Sequence, residues 1–228
     1  VTELRERSAQ LEAVRPYLPP AMIENIHSID QLGLGGERRE TTVMYTDVRS
    51  FSSYPPSQSA AEFMQMLNDY LSLAEAQISE QNGVVDKYMG NEVMALFNTQ
   101  LNPDEEHGYR SVLAALGIAR AYHEFYRKSG EPEGVRHYRI GIHTGIATLG
   151  NAGSKTRKEF TALGDTVNLA HRLLENAQPG QILISRETFE CCRHKLQGLP
   201  AIRVIERGQL TVKGRVQPVG IYEVILTP

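Results

Sequence analysis

Apolar side chains recur at three- and four-residue steps between Phe63 and Ile78: Phe63, Met66, Leu67, Tyr70, Leu71, Ala74 and Ile78. That spacing predicts a helix with one buried face. Ser59 followed by Glu62 predicts a capping box at its start, and Asn82-Gly83 marks its end. A second stripe, with Val112, Leu113, Leu116 and Phe125 facing inward, predicts a helix over about 104–128. The stretches around these helices change period from helical to alternating. ETTVMYTDV (40–48) places Val43, Tyr45 and Asp47 on one face of a strand and Met44 and Thr46 on the other. KYMGNEVMALF (87–97) reads as two short strands folded back around Gly90 and Asn91, residues that tolerate positive φ. YRIGIHTG (138–145) sets Ile140 and Ile142 against Arg139, Gly141 and His143. The order β-α-β-β-α-β predicts an α+β fold with a ferredoxin-like core and an antiparallel-rich sheet.

Downstream, FTALGDTVNLAHRLLENA (160–177) predicts a strand end and a helix N-capped by Asp165. Strand QILIS, a helix through Phe189 and closing strands near TVKGR and GIYEVIL extend the core at its C-terminal side. Upstream, Val1, Leu4, Leu11 and Val14 lie at helical spacing among charges, which fits the end of a coiled coil or an ordinary terminal helix. Pro19 and Pro20 break that helix, and LGLGGERRE reads as a linker. The division expected is a helical linker over 1–39 and a folded domain over 40–228.

Composition narrows the function classes. With 24 basic and 27 acidic side chains and a net charge of −3, nothing suggests a nucleic-acid partner. No apolar run approaches the roughly 20 residues that span a bilayer, and no signal peptide is visible. The two cysteines, Cys191 and Cys192, are adjacent and poorly placed to pair, which fits a reducing cytoplasm. A chain that opens on Val is read as a fragment or a processed product, so membrane anchoring of a longer protein stays open.

Candidate chemistry gathers in a few short motifs. Asp47 ends a strand and is followed by VRSFSS (48–53), a turn whose N–H groups are able to face a phosphate. Taken alone, a strand-end Asp reads first as a turn cap. TDVRSF, DKYMGNEVMALF, RIGIHTG, FTALGDTVNLAHRL and TVKG, however, resemble in sequence and order the motifs of class III nucleotidyl cyclase catalytic domains, over roughly residues 40–226. The resemblance is to the bacterial adenylate cyclase type. It implies conversion of ATP to cyclic AMP and pyrophosphate in a head-to-tail homodimer whose sites lie between subunits. It also implies an upstream regulatory or sensor domain missing from this chain.

By the same resemblance, Asp47 is the first metal-binding aspartate, with Val48 beside it, and Asn91 takes the place of the second. Lys87 and Thr161 correspond to the residues that read the purine, and Asn168 and Arg172 to the pair that acts in the transition state. Arg139 and Lys213 match polyphosphate contacts, and Phe51 and Ser52 belong to the phosphate-cradling turn. The implied reaction is attack of the ribose 3′-oxygen on the α-phosphorus. Two Mg²⁺ or Mn²⁺ ions would assist it, since hard oxygen ligands suit them.

Physical chemistry fits these roles. Asn168 and Arg172 are four apart and share a helix face, where a guanidinium suits charge developing at phosphate. Without the surrounding motif the pair reads as a solvated helical face. An ammonium at position 87 addresses the N1 acceptor of adenine, whereas the N–H groups of guanine call for a carboxylate. Lys87 therefore favours ATP. His143 shares a strand face with Arg139 and reads as a structural histidine. Asn91 departs from the family pattern. An amide oxygen coordinates a cation without bringing charge, so the second metal ion is expected to be held poorly. Strand alternation aims Glu92 away from Asn91 and makes rescue by Glu92 the less favoured outcome. The alternative is a catalytically impaired pseudo-cyclase that serves as a nucleotide-binding or dimerisation module.

Overall fold

A computed structural model of the chain describes residues 35–48, 59–128, 138–211 and 217–227, together with Glu12 and Ile23. Most of the expected N-terminal linker therefore lies outside the described residues. So do Phe51, Ser52 and Lys213.

Strand β1 (Glu37–Val48) leads through helix α1 (Ala60–Glu80) to the hairpin β2 (Val84–Met89) and β3 (Glu92–Phe97). Helix α2 (His107–Lys128) then returns the chain to β4 (Tyr138–Gly153). These four strands take the order β2-β3-β1-β4, the arrangement of the ferredoxin-like unit. Beyond it come β5 (Lys158–Leu163), α3 (Asp165–Asn176), β6 (Ile182–Ser185), α4 (Arg186–Gln197), β7 (Ile202–Leu210) and β8 (Val219–Leu226). The sheet continues as β4-β6-β8-β7, and β5 pairs with the far end of β4. Among the described strands only the β4–β6 pairing is parallel.

Helices cover both faces of the sheet, and strand alternation decides what each face buries. Met44, Ile140, Ile142 and Ile184 pack with Tyr70, Ala74 and Ile78 of α1 and with Val112, Leu116 and Ile118 of α2. Cys192 and Leu196 of α4 join the same core. On the opposite face Val43, Tyr45, Met94 and Leu96 meet Ala170 and Leu174 of α3 and Phe160 and Ala162 of β5. Asp47 follows Val43 and Tyr45 in this second set, so its side chain opens on the α3 side of the sheet.

The caps follow local chemistry. Ser59 accepts from the Glu62 N–H while the Glu62 carboxylate accepts from the Ser59 N–H, the expected capping box. At the other end Asn82 adopts φ 57° and the Gly83 N–H donates to the Ile78 carbonyl at 2.8 Å. The N-cap of α3 is Gly164 rather than Asp165, which is the first helical residue. There the Asp165 carboxylate lies in the first turn, where the helix dipole favours negative charge.

Three other differences have simple causes. Helix α2 starts at His107, because residues 99–104 form a turn in which Asn102 and Asp104 bond their neighbours. β4 runs eight residues past the expected Gly145 and folds back on β5 as a long hairpin. A closing strand lies at Ile202–Leu210, ahead of TVKGR, which falls mostly outside the described residues. Its sequence alternates too weakly for period alone to reveal it.

Gly141 fixes the spacing between α3 and β4. A Cβ there would stand 2.2 Å from the Leu174 nitrogen and 2.6 Å from the Ala170 oxygen, both helix backbone atoms that cannot rotate away. Gly141→Ala should lower stability by about 2–3 kcal/mol, read as a shifted urea midpoint. Gly198→Ala is the control. There the nearest atom is the Lys195 carbonyl at 3.5 Å and φ is −83°, so a change under about 0.5 kcal/mol is expected.

Candidate active site

Asp47 is 2% exposed, at the end of β1, directly opposite Glu92 of β3 and Arg139 of β4. Such register partners share a sheet face. The Arg139 Nε donates to both Asp47 oxygens, at 3.1 and 3.0 Å, and a terminal guanidinium nitrogen also meets Oδ2. A buried carboxylate is tolerable only when paired in this way. Glu92 turns toward α3, where its Oε2 lies 3.3 Å from His171 Nε2. Tyr45 packs edge-on to the His171 ring at 5.0 Å. Burial first, then the nearby charges of Asp86 and Glu92, push the Tyr45 hydroxyl up to about 12.

Asn91 stands at the β2–β3 turn, where Gly90 with φ 65° takes the left-handed conformation and Asn91 does not. Turn geometry therefore does not explain the amide. Its Nδ2 donates to the Val48 carbonyl at 2.7 Å, and the Val48 N–H reaches back to the Asn91 carbonyl at 3.4 Å. The side chain thus acts as a donor toward a carbonyl that the resemblance implies as a metal neighbour. The implied oxygen set is the Asp47 carboxylate, the Val48 carbonyl and the Asn91 amide. Those hard donors fit one divalent cation, with Asp47 supplying the formal charge. A second cation would have no carboxylate of its own in this set. Among the described residues, no three His, Cys, Asp or Glu side chains converge as a metal cluster.

A second group of polar residues forms around Lys87 and Thr161, the positions that the resemblance assigns to reading the base. The Lys87 ammonium lies 3.3 Å from Asp86 Oδ2 and 3.6 Å from Glu159 Oε2. The Thr161 hydroxyl donates to the same Asp86 oxygen at 3.0 Å. The structure therefore brings Lys87 and Thr161, 74 positions apart, onto one carboxylate. Burial raises the Asp86 carboxyl above the ordinary aspartate range, against the opposing pull of Lys87 and the Thr161 hydroxyl. Asp86 was missed by sequence reasoning. It lies inside the DKYMG motif, but nothing in one strand's pattern shows what packs across from it.

Helix α3 carries Asn168 and Arg172 on its exposed side. The Arg172 guanidinium is 52% exposed and meets Glu175 at 2.7 Å one turn on. His143 is buried with Nδ1 2.8 Å from the Ser185 hydroxyl, as a structural histidine would be.

The family model described as the adenylate and guanylate cyclase catalytic domain matches residues 36–225. Adenylate cyclase 1 of Rhizobium meliloti is 31% identical over 214 residues, covering 92% of this chain. The chain spans 31% of that relative's length. Among solved structures, the adenylyl cyclase CyaB from P. aeruginosa is 30% identical with a TM-score of 0.74, over 86% of this chain and 98% of that one. The guanylyl cyclase Cya2 is 28% identical with a TM-score of 0.72, over 85% and 95%. The two share this fold closely but differ in the nucleotide their names assign. Its motifs, its sheet order and these likenesses agree, and the chain belongs to the adenylate and guanylate cyclase catalytic domain family.

Proposed function

We propose that this domain, over residues 40–228 with a helical linker before it, converts ATP to cyclic AMP and pyrophosphate. The observation that carries the choice of ATP is the gathering of Lys87 and Thr161 at one carboxylate. An ammonium donates to adenine N1, and the threonine oxygen accepts from the 6-amino group. Guanine presents the opposite pattern at both positions.

The site is read as composite, completed by a second copy in a head-to-tail homodimer. Supporting this, Asn168 and Arg172 are exposed, and the guanidinium pairs with Glu175 of its own helix. Asn168 would orient the ribose, and Arg172 would meet charge developing at the α-phosphate. Arg139 is poised to leave Asp47 for the polyphosphate, with Phe51, Ser52 and Lys213 as further phosphate contacts. Asp47 and the Val48 carbonyl would hold a divalent cation, Mg²⁺ or Mn²⁺, with Asn91 as a weak neighbour. When bound, that cation lowers the pKa of the 3′-hydroxyl and neutralises the departing pyrophosphate.

A second reading is favoured by one contact. The Asn91 amide occupies the Val48 carbonyl, so the domain could bind nucleotide without efficient turnover.

Incubation with ATP or GTP and Mg²⁺ or Mn²⁺ decides between the readings. Cyclic AMP as the main product supports the cyclase; nucleotide binding without any cyclic product supports the impaired module. Asp47→Ala and Arg172→Ala should each lose about 100-fold or more in activity. Mixed together, they should regain part of it, because each heterodimer then holds one intact site. Failure to complement, with heterodimers demonstrated, removes the shared site.

Asn91→Asp has a readout independent of turnover. It sets a carboxylate oxygen against the Val48 carbonyl in place of an N–H donor. The metal-free variant should be less stable than the native domain by about 1–2 kcal/mol. Added Mn²⁺ should then raise its melting temperature more than that of the native domain. Equal metal-induced shifts in both proteins would take position 91 out of the metal site.

A further inference from the structure

Strand β2 is not regular where it carries Asp86. Val85 pairs with Ala95 and Lys87 with Met94, so Asp86 is an extra residue inserted into the ladder. Such a bulge interrupts the alternation that would send neighbouring side chains to opposite faces. Here it allows Asp86 and Lys87, adjacent in sequence, to meet at 3.3 Å. Thr161 reaches the same oxygen from β5, which pairs with the far half of β4.

Asp86 is an unfavourable choice for a purely structural position. Its side chain is 0% exposed, and among the described residues Oδ1 has no hydrogen-bond partner. Oδ2 alone takes both Thr161 and Lys87. A buried carboxylate with one oxygen unsatisfied is costly, and a neutral side chain would fill the space with less penalty. Residues that break a local rule in this way concentrate where function requires them.

The requirement follows from how many protons a hydroxyl has. Threonine has one O–H donor and two acceptor lone pairs. When the proton points at Asp86, the oxygen can only accept from whatever lies in front of it. Among the described residues, the other acceptor bonded to that hydroxyl is the Ala162 carbonyl at 3.5 Å, a much poorer contact than the 3.0 Å one to Asp86. We propose that Asp86 is the positioning residue for base selection. It commits the Thr161 hydroxyl to the acceptor role and holds the Lys87 ammonium as the donor beside it. The pair then offers donor and acceptor in the pattern adenine needs, and guanine meets an acceptor at O6 and a donor at N1–H. This inference rests on the reading of Lys87 and Thr161 as the base site and adds the group that fixes their polarity.

Asp86→Asn tests it in the full chain, because an amide can donate to Thr161 and free the hydroxyl proton to turn outward. Equilibrium binding of ATP and GTP, which needs no turnover, is measured for the native protein, Asp86→Asn, Thr161→Val and the double variant. The ATP-over-GTP affinity ratio should fall about tenfold in Asp86→Asn, about the worth of one hydrogen bond to a charged group. Thr161→Val should lose a similar ratio, and adding Asp86→Asn to it should change the ratio no further. Equal weakening of ATP and GTP in a folded Asp86→Asn protein would make Asp86 merely structural and overturn the proposal. If Asp86→Asn does not fold, Thr161→Val still decides: an undiminished ratio there overturns the proposal. A native protein that binds GTP in preference to ATP overturns the base-site reading itself. A native preference for ATP that survives Asp86→Asn overturns only the role of Asp86.

Discussion

Strand β1 is paired along both edges, and its register positions everything else in the site. On one side it runs from Thr42 opposite Phe97 to Asp47 opposite Glu92. On the other it runs from Glu37 opposite Leu149 to Val48 opposite Tyr138. A strand held this way has no freedom to slide, because a slip of one residue would exchange its two faces. Val43 and Tyr45 would enter the α1–α2 core, and Asp47 would be buried there without Arg139. The same register places Tyr45 opposite Gly141, at a point where the α3 backbone leaves no room for a Cβ on the sheet. Helix α3 carries Asn168 and Arg172, so the register of β1 and the bare Cα of Gly141 together set where the candidate catalytic pair stands.

Within that frame the charges divide into two groups with different characters. Around Asp47 the pairing is conventional: a buried carboxylate meets a guanidinium through several bonds. Around Asp86 it is unbalanced, with an ammonium and a hydroxyl on one oxygen and, among the described residues, no partner on the other. The first arrangement leaves the buried carboxylate and the guanidinium neutralising each other. The second arrangement is directional, as the proposed reading of a neutral purine edge requires. Asn91 belongs near the first group but contributes a dipole, not a charge, and its N–H points at a carbonyl oxygen. In the proposed metal site, the charge offered to a divalent cation would then come largely from one aspartate.

Much of this was legible in the chain before any coordinates. Alternation in ETTVMYTDV and YRIGIHTG, the helical stripe from Phe63 to Ile78 and the Ser59–Glu62 cap are local signals, and the elements formed where those signals lay. The order of the elements was enough for the ferredoxin-like core, and the order of the motifs was enough for the family. The extension of β4, the strand at Ile202–Leu210 and the Gly164 cap were not legible, because each depends on a neighbour far along the chain or on one residue of boundary.

Side-chain identity and spacing by themselves determined which residues carry charge, which face of β1 and β4 they share, and that position 91 lacks a carboxylate. Only the tertiary structure decided what those groups touch. Asp47 meets Arg139 across 92 positions, Thr161 meets Asp86 across 75, and the Asn91 amide meets Val48 across 43. Hydrogen bonds of this kind depend on distances of a few tenths of an ångström and on donor direction. Those quantities come from strand register, a bulge and the close approach of a helix, and no periodicity in one dimension contains them.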